Sequence, residues 1–208
     1  MRVALYLGSF NPVHEGHLSI CRYLASSREI EQVRVVVSPG NPVKDASLME
    51  SAPQRLQYVK SVIAQQKRVY EQSEQAEQSI QSRQAEQSRQ AEQSEQAEQA
   101  KRDWGKIVVS DIEFQMSPPL YTINTLDRLS REEPENSFII VMGADNLAII
   151  ERWYRWRDIL AEYEIWVYPR TGYNGEELTD RYKEYNIRLL TDAPLIDISS
   201  TQIRNARK

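Results

Sequence analysis

Cysteine is almost missing from this chain of 208 residues, with Cys21 the single example. No internal disulfide can form, so a reducing, cytoplasmic setting is expected. Long apolar runs are missing too. The N-terminal stretch from Met1 turns polar by Ser9, too short for a secretory signal or a membrane span, and no membrane partner is expected. Histidine occurs only as His14 and His17. With so few soft ligands the protein has no set for a tetrahedral metal site, and no protein-held metal is expected.

A strong charge of one sign is also lacking in most of the chain. The formal charge is −4, but residues 71–100 carry seven Glu and two Arg, which leaves the rest near +1. Such a body offers no footprint for a nucleic-acid polymer. A small anion needs only a local positive site.

Residues 71–100 themselves lack glycine, proline and, apart from Ile80, any large apolar side chain. They form ten triplets of the pattern x-Gln-(Ser/Ala). A period of three drifts around a helix of 3.6 residues per turn, so no apolar stripe persists and no face can be buried. The composition tolerates helix. The segment reads as disorder or a solvated helix, with disorder favoured. It is treated as an insertion between 1–70 and 101–208, which together form one domain.

In the flanking parts, short apolar strands alternate with helical patterns. Strands are expected at Val3–Leu7, Val33–Val37, Ile107–Val109, Phe138–Met142, Glu164–Tyr168 and Arg188–Leu190, and the run Ile196-Asp197-Ile198 is also strand-like. Helices are expected at Leu18–Ser26 and Pro53–Gln66 and around Asn124–Leu129, with another opening at Ser199. Continuous apolar strands alternating with helices point to an α/β fold, a doubly wound parallel sheet covered on both faces. Ligands in such folds bind at the carboxyl ends of strands, where the strand order reverses.

Two strings carry chemistry. The first follows the opening strand: Gly8-Ser9-Phe10-Asn11-Pro12-Val13-His14-Glu15-Gly16-His17. The histidines are three apart and share a helical face. Gly8 permits a tight turn, Gly16 leaves room for a phosphate beside the histidines, and a new helix offers unpaired N–H groups to an anion. A plain turn capped by Asn11, with surface histidines, competes with this reading, as does nucleotide binding without chemistry. The second string is Ile198-Ser199-Ser200-Thr201-Gln202-Ile203-Arg204. Ser and Thr are ordinary helix caps, yet three hydroxyls, helix N–H groups and a guanidinium also suit phosphate oxygens. Together the strings can cradle one triphosphate.

These strings together resemble the HxGH-type nucleotidyltransferase superfamily, and within it the nicotinate-nucleotide adenylyltransferases. The resemblance covers nearly everything outside 71–102. Ser38-Pro39-Gly40-Asn41-Pro42-Val43-Lys44 is similar to that family's lysine-bearing loop. Tyr121-Thr122 with Thr125-Leu126 is similar to its Tyr-Thr segment beside the pyridine ring. Gly143-Ala144-Asp145-Asn146-Leu147 followed by Trp153 is similar to its Gly-Ala-Asp turn and ring-stacking tryptophan. Pro169-Arg170 is similar to its arginine loop beside the adenine. Asn11 stands where the family often has Asp, and Leu120 replaces a smaller residue.

The resemblance implies a Rossmann-like fold and adenylyl transfer from ATP to nicotinate mononucleotide, with Mg²⁺ accompanying ATP. It implies that His17 meets the α-phosphate and the transition state and that His14 positions phosphate. A nearby triphosphate would favour their imidazolium forms. Gly8, Ser9 and Phe10, with Gly143, Asp145 and Arg170, would complete the ATP site. Ser199, Ser200, Thr201 and Arg204 would hold the outer phosphates. Lys44 would meet the acceptor's phosphate, while Trp153, Tyr121 and Thr122 receive its ring and carboxylate. Bland alternatives stand beside these roles: a core or surface aromatic for Trp153, a helix cap for Asp145, an ordinary loop lysine for Lys44. The rival functions are transfer to nicotinamide mononucleotide, phosphopantetheine adenylylation and a non-catalytic nucleotide sensor.

Overall fold

A computed structural model describes residues 1–40, 51–80, 99–100, 102–197, 200 and 203. Strands β1 (Arg2–Gly8), β2 (Gln32–Val37), β3 (Ile107–Ser110), β4 (Ser137–Gly143), β5 (Glu164–Tyr168) and β6 (Ile187–Leu189) form one sheet in the order β3-β2-β1-β4-β5-β6. Every pairing is parallel, with Tyr6 beside Val35 on one flank and Val141 on the other. This is the doubly wound, Rossmann-like arrangement expected, and the strand order reverses between β1 and β4.

The central strands β1 and β4 are largely apolar because both faces are covered. Along β1, Ala4 and Tyr6 join one core while Val3 and Leu5 join the other. Helices α1 (Glu15–Ser26) and α2 (Ala52–Ile80) close the first face with Ile20, Leu24, Val59 and Ile63. Helices α3 (Thr122–Glu132), α4 (Ala144–Leu147), α5 (Trp156–Glu162) and α6 (Gly175–Arg181) close the second. In α3 the apolar residues Ile123, Leu126 and Leu129 recur every three positions and are buried as one stripe. Truncating such a side chain to alanine typically costs about 2–5 kcal/mol.

Two expectations change. The helix of α2 runs on to Ile80, so residues 71–80 of the triplet segment are helical rather than disordered. Good helix formers extend a helix already nucleated by the buried Val59 and Ile63, because propagation is far cheaper than nucleation. Residues 81–98 lie outside the described residues. Re-entry to the body is marked by the buried Asp103 and Trp104 on a helical turn over 102–106. Second, Ile196 makes a single bridge to Arg170 instead of starting a strand. Ser200 and Ile203 are helical, as expected for the last helix, while Ser199, Thr201 and Arg204 lie outside the described residues, as does Lys44. Among the described residues no helix is long and apolar enough to cross a membrane.

Candidate active site

A cleft of about 500 Å³ opens at the carboxyl ends of the strands. Gly8, which ends β1, leads into Ser9 and Phe10 on its wall. Phe10 takes a positive φ of 44°, a left-handed turn that sends the chain back across the strand end. Its ring packs edge-on against Tyr6 and His17, at centroid distances of 5.5 and 5.0 Å. The cap of α1 is His14, in extended conformation, and Asn11 is instead a buried loop residue. His17 lies on the first turn, and the two imidazoles stand 3.8 Å apart, centroid to centroid, on the cleft wall.

Backbone hydrogen bonds set the role of the His17 Nδ1 nitrogen. The His14 N–H donates to His17 Nδ1 at 3.2 Å, and the His17 N–H donates to the His14 carbonyl at 2.9 Å. With Nδ1 accepting, the neutral ring carries its proton on Nε2 and is a donor there. His14 differs. Burial, and after it the Arg170 guanidinium, lower its pKa from 6.5 to about 4. The protein alone therefore favours the neutral imidazole at His14, the imidazolium being expected only beside a triphosphate. Only a bound polyanion would reverse that balance.

The second string meets the first directly. The Ser200 hydroxyl donates to the Pro12 carbonyl at 3.0 Å, across 188 residues of chain. Gly16 makes the approach possible. A Cβ there would stand 2.7 Å from Ile196 Cγ2 and 3.1 Å from the His14 ring. The space Gly16 leaves open is thus taken by Ile196 and His14, rather than kept for phosphate as the sequence suggested. Arg170 donates to the Ile196 carbonyl at 3.1 Å and pairs with Asp145 at 3.5 Å. Gly143 caps α4 and stays just behind the cleft lining, because a Cβ would meet Asp145 Oδ1 at 2.3 Å and Arg170 Cγ at 3.0 Å. Asp145 is thus not the cap; it lies on the first turn, with Oδ1 making no hydrogen bond among the described residues.

The opposite wall is aromatic and more open. Tyr121 caps α3, stacks on Tyr154 at 4.6 Å and lines the cleft with Thr122 and Trp153. Trp153 is half-buried, packed on the second core while still facing the cleft, so both readings of it hold in part. Three residues on this side carried no sequence signal. Tyr154 and Arg152 read as exposed residues of an aromatic run. Glu113 sits behind the wall, 2% exposed, in a turn where a carboxylate would ordinarily be solvated. Burial raises its pKa, against hydrogen bonds from the Ser38 and Thr125 hydroxyls. Among the described residues the Arg152 guanidinium has no ion-pair or hydrogen-bond partner, although the residue lines the cleft.

The arrangement suits anion handling. It combines two imidazoles at a helix start, a guanidinium braced by a carboxylate, and the Ser200 hydroxyl beside them. The one cysteine offers no nucleophile: Cys21 is buried in the first core, and burial pushes its thiol up to about 12. Among the described residues no three His, Cys, Asp or Glu side chains cluster as metal ligands.

Comparisons with known proteins agree with this geometry. The sequence model of the cytidylyltransferase-like family matches residues 5–206. A Flavobacterium johnsoniae protein described as "Probable nicotinate-nucleotide adenylyltransferase" is 33% identical over 208 residues, covering 100% of this chain and 87% of its own length. A Porphyromonas gingivalis protein of the same description is 34% identical, covering 99% of this chain and 84% of its own length. Among solved structures, the Plasmodium falciparum nicotinic acid mononucleotide adenylyltransferase complexed with NaAD superposes with a TM-score of 0.67. It covers 98% of this chain and 82% of its own at 16% identity, a likeness of fold.

Proposed function

The chain belongs to the cytidylyltransferase-like family, and within it to the nicotinate-nucleotide adenylyltransferases; from that premise we propose that it transfers the adenylyl group of ATP to nicotinate mononucleotide. The products are nicotinate adenine dinucleotide and pyrophosphate, a step of NAD biosynthesis in the cytoplasm. The observation that carries the reading is the meeting of two phosphate-handling strings from opposite ends of the chain. Ser200 bonds to Pro12 and Gly16 packs on Ile196, beside His14 and His17.

A phosphate oxygen of the mononucleotide attacks the α-phosphorus of ATP, and the bond to the bridging oxygen of pyrophosphate breaks. The attacking phosphate is already an anion near neutral pH, so no general base is required. What the site supplies is alignment and positive potential. His17, a donor through Nε2, meets the α-phosphate oxygens as charge builds on them. His14 positions phosphate alongside, and the backbone of Gly8, Ser9 and Phe10 flanks the same groups. Ser199, Ser200, Thr201 and Arg204 hold the leaving pyrophosphate. Gly143, Asp145 and Arg170 take the adenosine side. Lys44 meets the acceptor's phosphate.

The acceptor's ring stacks on Trp153, and backbone N–H groups near Tyr121 and Thr122 receive its carboxylate. Arg152, a cleft-lining cation beside Trp153, adds attraction for an acid over an amide.

Mg²⁺ accompanying ATP would be held largely by phosphates and water and would screen the phosphate charge, since Asp145 Oδ1 is buried against Arg170 and no three His, Cys, Asp or Glu side chains cluster as ligands among the described residues. The catalytic domain comprises 1–70 and 101–208, with 71–100 a dispensable insertion. Neither a nucleic-acid polymer nor a membrane is a partner.

A coupled assay with ATP and each mononucleotide tests the reading. Turnover of the acid well above the amide is expected. Equal turnover of both, or none, overturns it.

A further inference from the structure

We propose that Arg55 is a positioning residue: it locks the loop that handles the donor's phosphates to the elements that receive the acceptor. The inference rests on the adenylyl-transfer reading given above. Arg55 sits on the first turn of α2 and is 1% exposed. Its Nη1 donates to the Ser9 carbonyl and, at 2.9 Å, to the Ser38 carbonyl. Its Nη2 donates to the Pro39 carbonyl at 2.9 Å. Ser9 belongs to the β1–α1 loop that carries the histidines. Ser38 and Pro39 leave β2 and open the loop that leads to Lys44. One planar guanidinium therefore fixes two loops that are separate in sequence and share the cleft.

The chain of contacts continues to the acceptor wall. Ser38 is held at its carbonyl by Arg55, and its hydroxyl lies close enough to the buried Glu113 carboxyl to lower that group's pKa. Glu113 also accepts the Thr125 hydroxyl at 2.9 Å. Thr125 is fully buried on α3, whose first residues are Tyr121 and Thr122 at the cleft. Two buried charges thus join three elements through one serine. Anchoring α2 to the body does not require this, since Val59 and Ile63 already bury its apolar face. In-line transfer does require it, because the two reacting phosphates must be aligned to a fraction of an ångström. A loop shift of about 1 Å costs on the order of a hundredfold in rate while leaving most binding contacts intact.

The test uses the full-length enzyme with Arg55→Met, Arg55→Lys and Glu113→Gln. Leu178→Ala is a control for destabilisation, since Leu178 is buried on α6 away from the cleft. All are assayed at a temperature where each is folded by circular dichroism. The expected result for Arg55→Met is a kcat loss of about a hundredfold with KM for ATP and acceptor changed less than about fivefold. Arg55→Lys, which keeps the charge but not the fork, should recover part of the kcat. Leu178→Ala, destabilised to a similar degree, should keep its kcat. Arg55→Met and Glu113→Gln act through the same serine, so the double variant should fall near the worse single one rather than at their product.

Folded Arg55→Met with wild-type kcat, or multiplying losses in the double variant, overturns the proposal. Should Arg55→Met fail to fold, Arg55→Lys and Glu113→Gln carry the same comparison. Hydrogen exchange gives a reading that needs no turnover. A non-hydrolysable ATP analogue should slow exchange at 8–17 and also at 36–38 and 112–115 in the wild type, but only at 8–17 in Arg55→Lys. Spread that survives in Arg55→Lys counts against the relay. Wild-type enzyme that makes no dinucleotide sinks the functional reading instead, and the exchange experiment still decides the relay.

Discussion

The loop at 8–17 and the triplet segment at 71–100 are both polar stretches bordering a helix, and they obey opposite rules. In the loop almost every residue has a specific neighbour: Ser9 meets Arg55, Phe10 meets His17, Pro12 meets Ser200, and Gly16 makes room for Ile196. In the triplet segment one pattern repeats ten times, and residues 71–80 simply prolong α2. Polarity therefore does not mark function here. What marks it is how many positions are constrained at once by distant parts of the chain. The aromatic wall lies between these extremes, with stacked Tyr121 and Tyr154 and a cleft-lining Arg152 that has no partner among the described residues.

The sharpest way to test that contrast is His17. Its Nε2 donor should count most when charge builds on the α-phosphate, so His17→Ala should lower kcat by about 10²–10³. ATP affinity, measured by calorimetry, should change less than about tenfold. A loss confined to affinity would remove His17 from the transition state.

Gly16 comes next. Alanine there collides with Ile196 Cγ2 and with the His14 ring. Overpacking of this kind costs about 1–3 kcal/mol. Gly16→Ala should lower the urea midpoint and also slow turnover, because the same methyl pushes the two phosphate strings apart. Adding Ile196→Ala should restore part of both. Turnover unaffected in Gly16→Ala would mean that the two strings do not act on one ligand.

Arg152 should have a smaller and more selective effect. Its side chain is exposed, so its attraction for a carboxylate is screened and worth about 1 kcal/mol. Arg152→Met should cut kcat/KM for the acid by about fivefold to tenfold and leave the amide unchanged. Raising the salt should shrink the wild-type preference toward that of the variant. Parallel losses on both acceptors would assign Arg152 to the phosphate or to folding.

His14 offers a smaller effect, read against pH. Its folded pKa of about 4 lies below the ordinary 6.5, so the unfolded chain binds the proton more readily. The stability this group contributes is fully present above about 6.5 and is lost as pH falls toward 4. Between those limits, wild type should lose more thermal stability than His14→Gln. In an NMR titration the His14 resonances should move near pH 4 in the free protein and at higher pH with ATP bound. A midpoint near 6.5 in the free protein would mean that burial does not govern the ring.

The smallest effect is expected at the other pole of the comparison. Replacing 71–100 with a short Gly/Ser linker should leave kcat and both KM values within about twofold, since loop closure cost grows only slowly with length. A folded but inactive product would make the segment a lid or an assembly surface.

How far these residues were legible follows from where their partners lie in sequence. Strand and helix positions were readable because burial imposes local periodicity: the apolar run of β4 and the three-residue spacing in α3 are statements about neighbours. The His14/His17 pair and the Ser-Thr string were readable because a phosphate-binding turn needs several residue types within a few positions. The bare pattern of 71–80 misled, since helix there is inherited from the nucleated part of α2 rather than from any stripe of its own.

Arg55 and Glu113 left no local trace. A charged residue on a helix turn reads as solvated until the fold shows that it is buried with carbonyls and hydroxyls from other loops. The lowered pKa of His14 in the free protein was not legible for a related reason, because burial and Arg170, 156 positions away, act on it only once β5 lies near β1. By itself the sequence determined the sheet and singled out the two strings proposed to handle phosphate, all patterns set within a few residues. Only the tertiary structure decided what Gly16 makes room for, which bond His17 Nδ1 accepts, which charge His14 favours in the free protein and how Arg55 joins the loops. Each of those depends on groups that chain closure brings together from far apart, and no local pattern encodes such a distance.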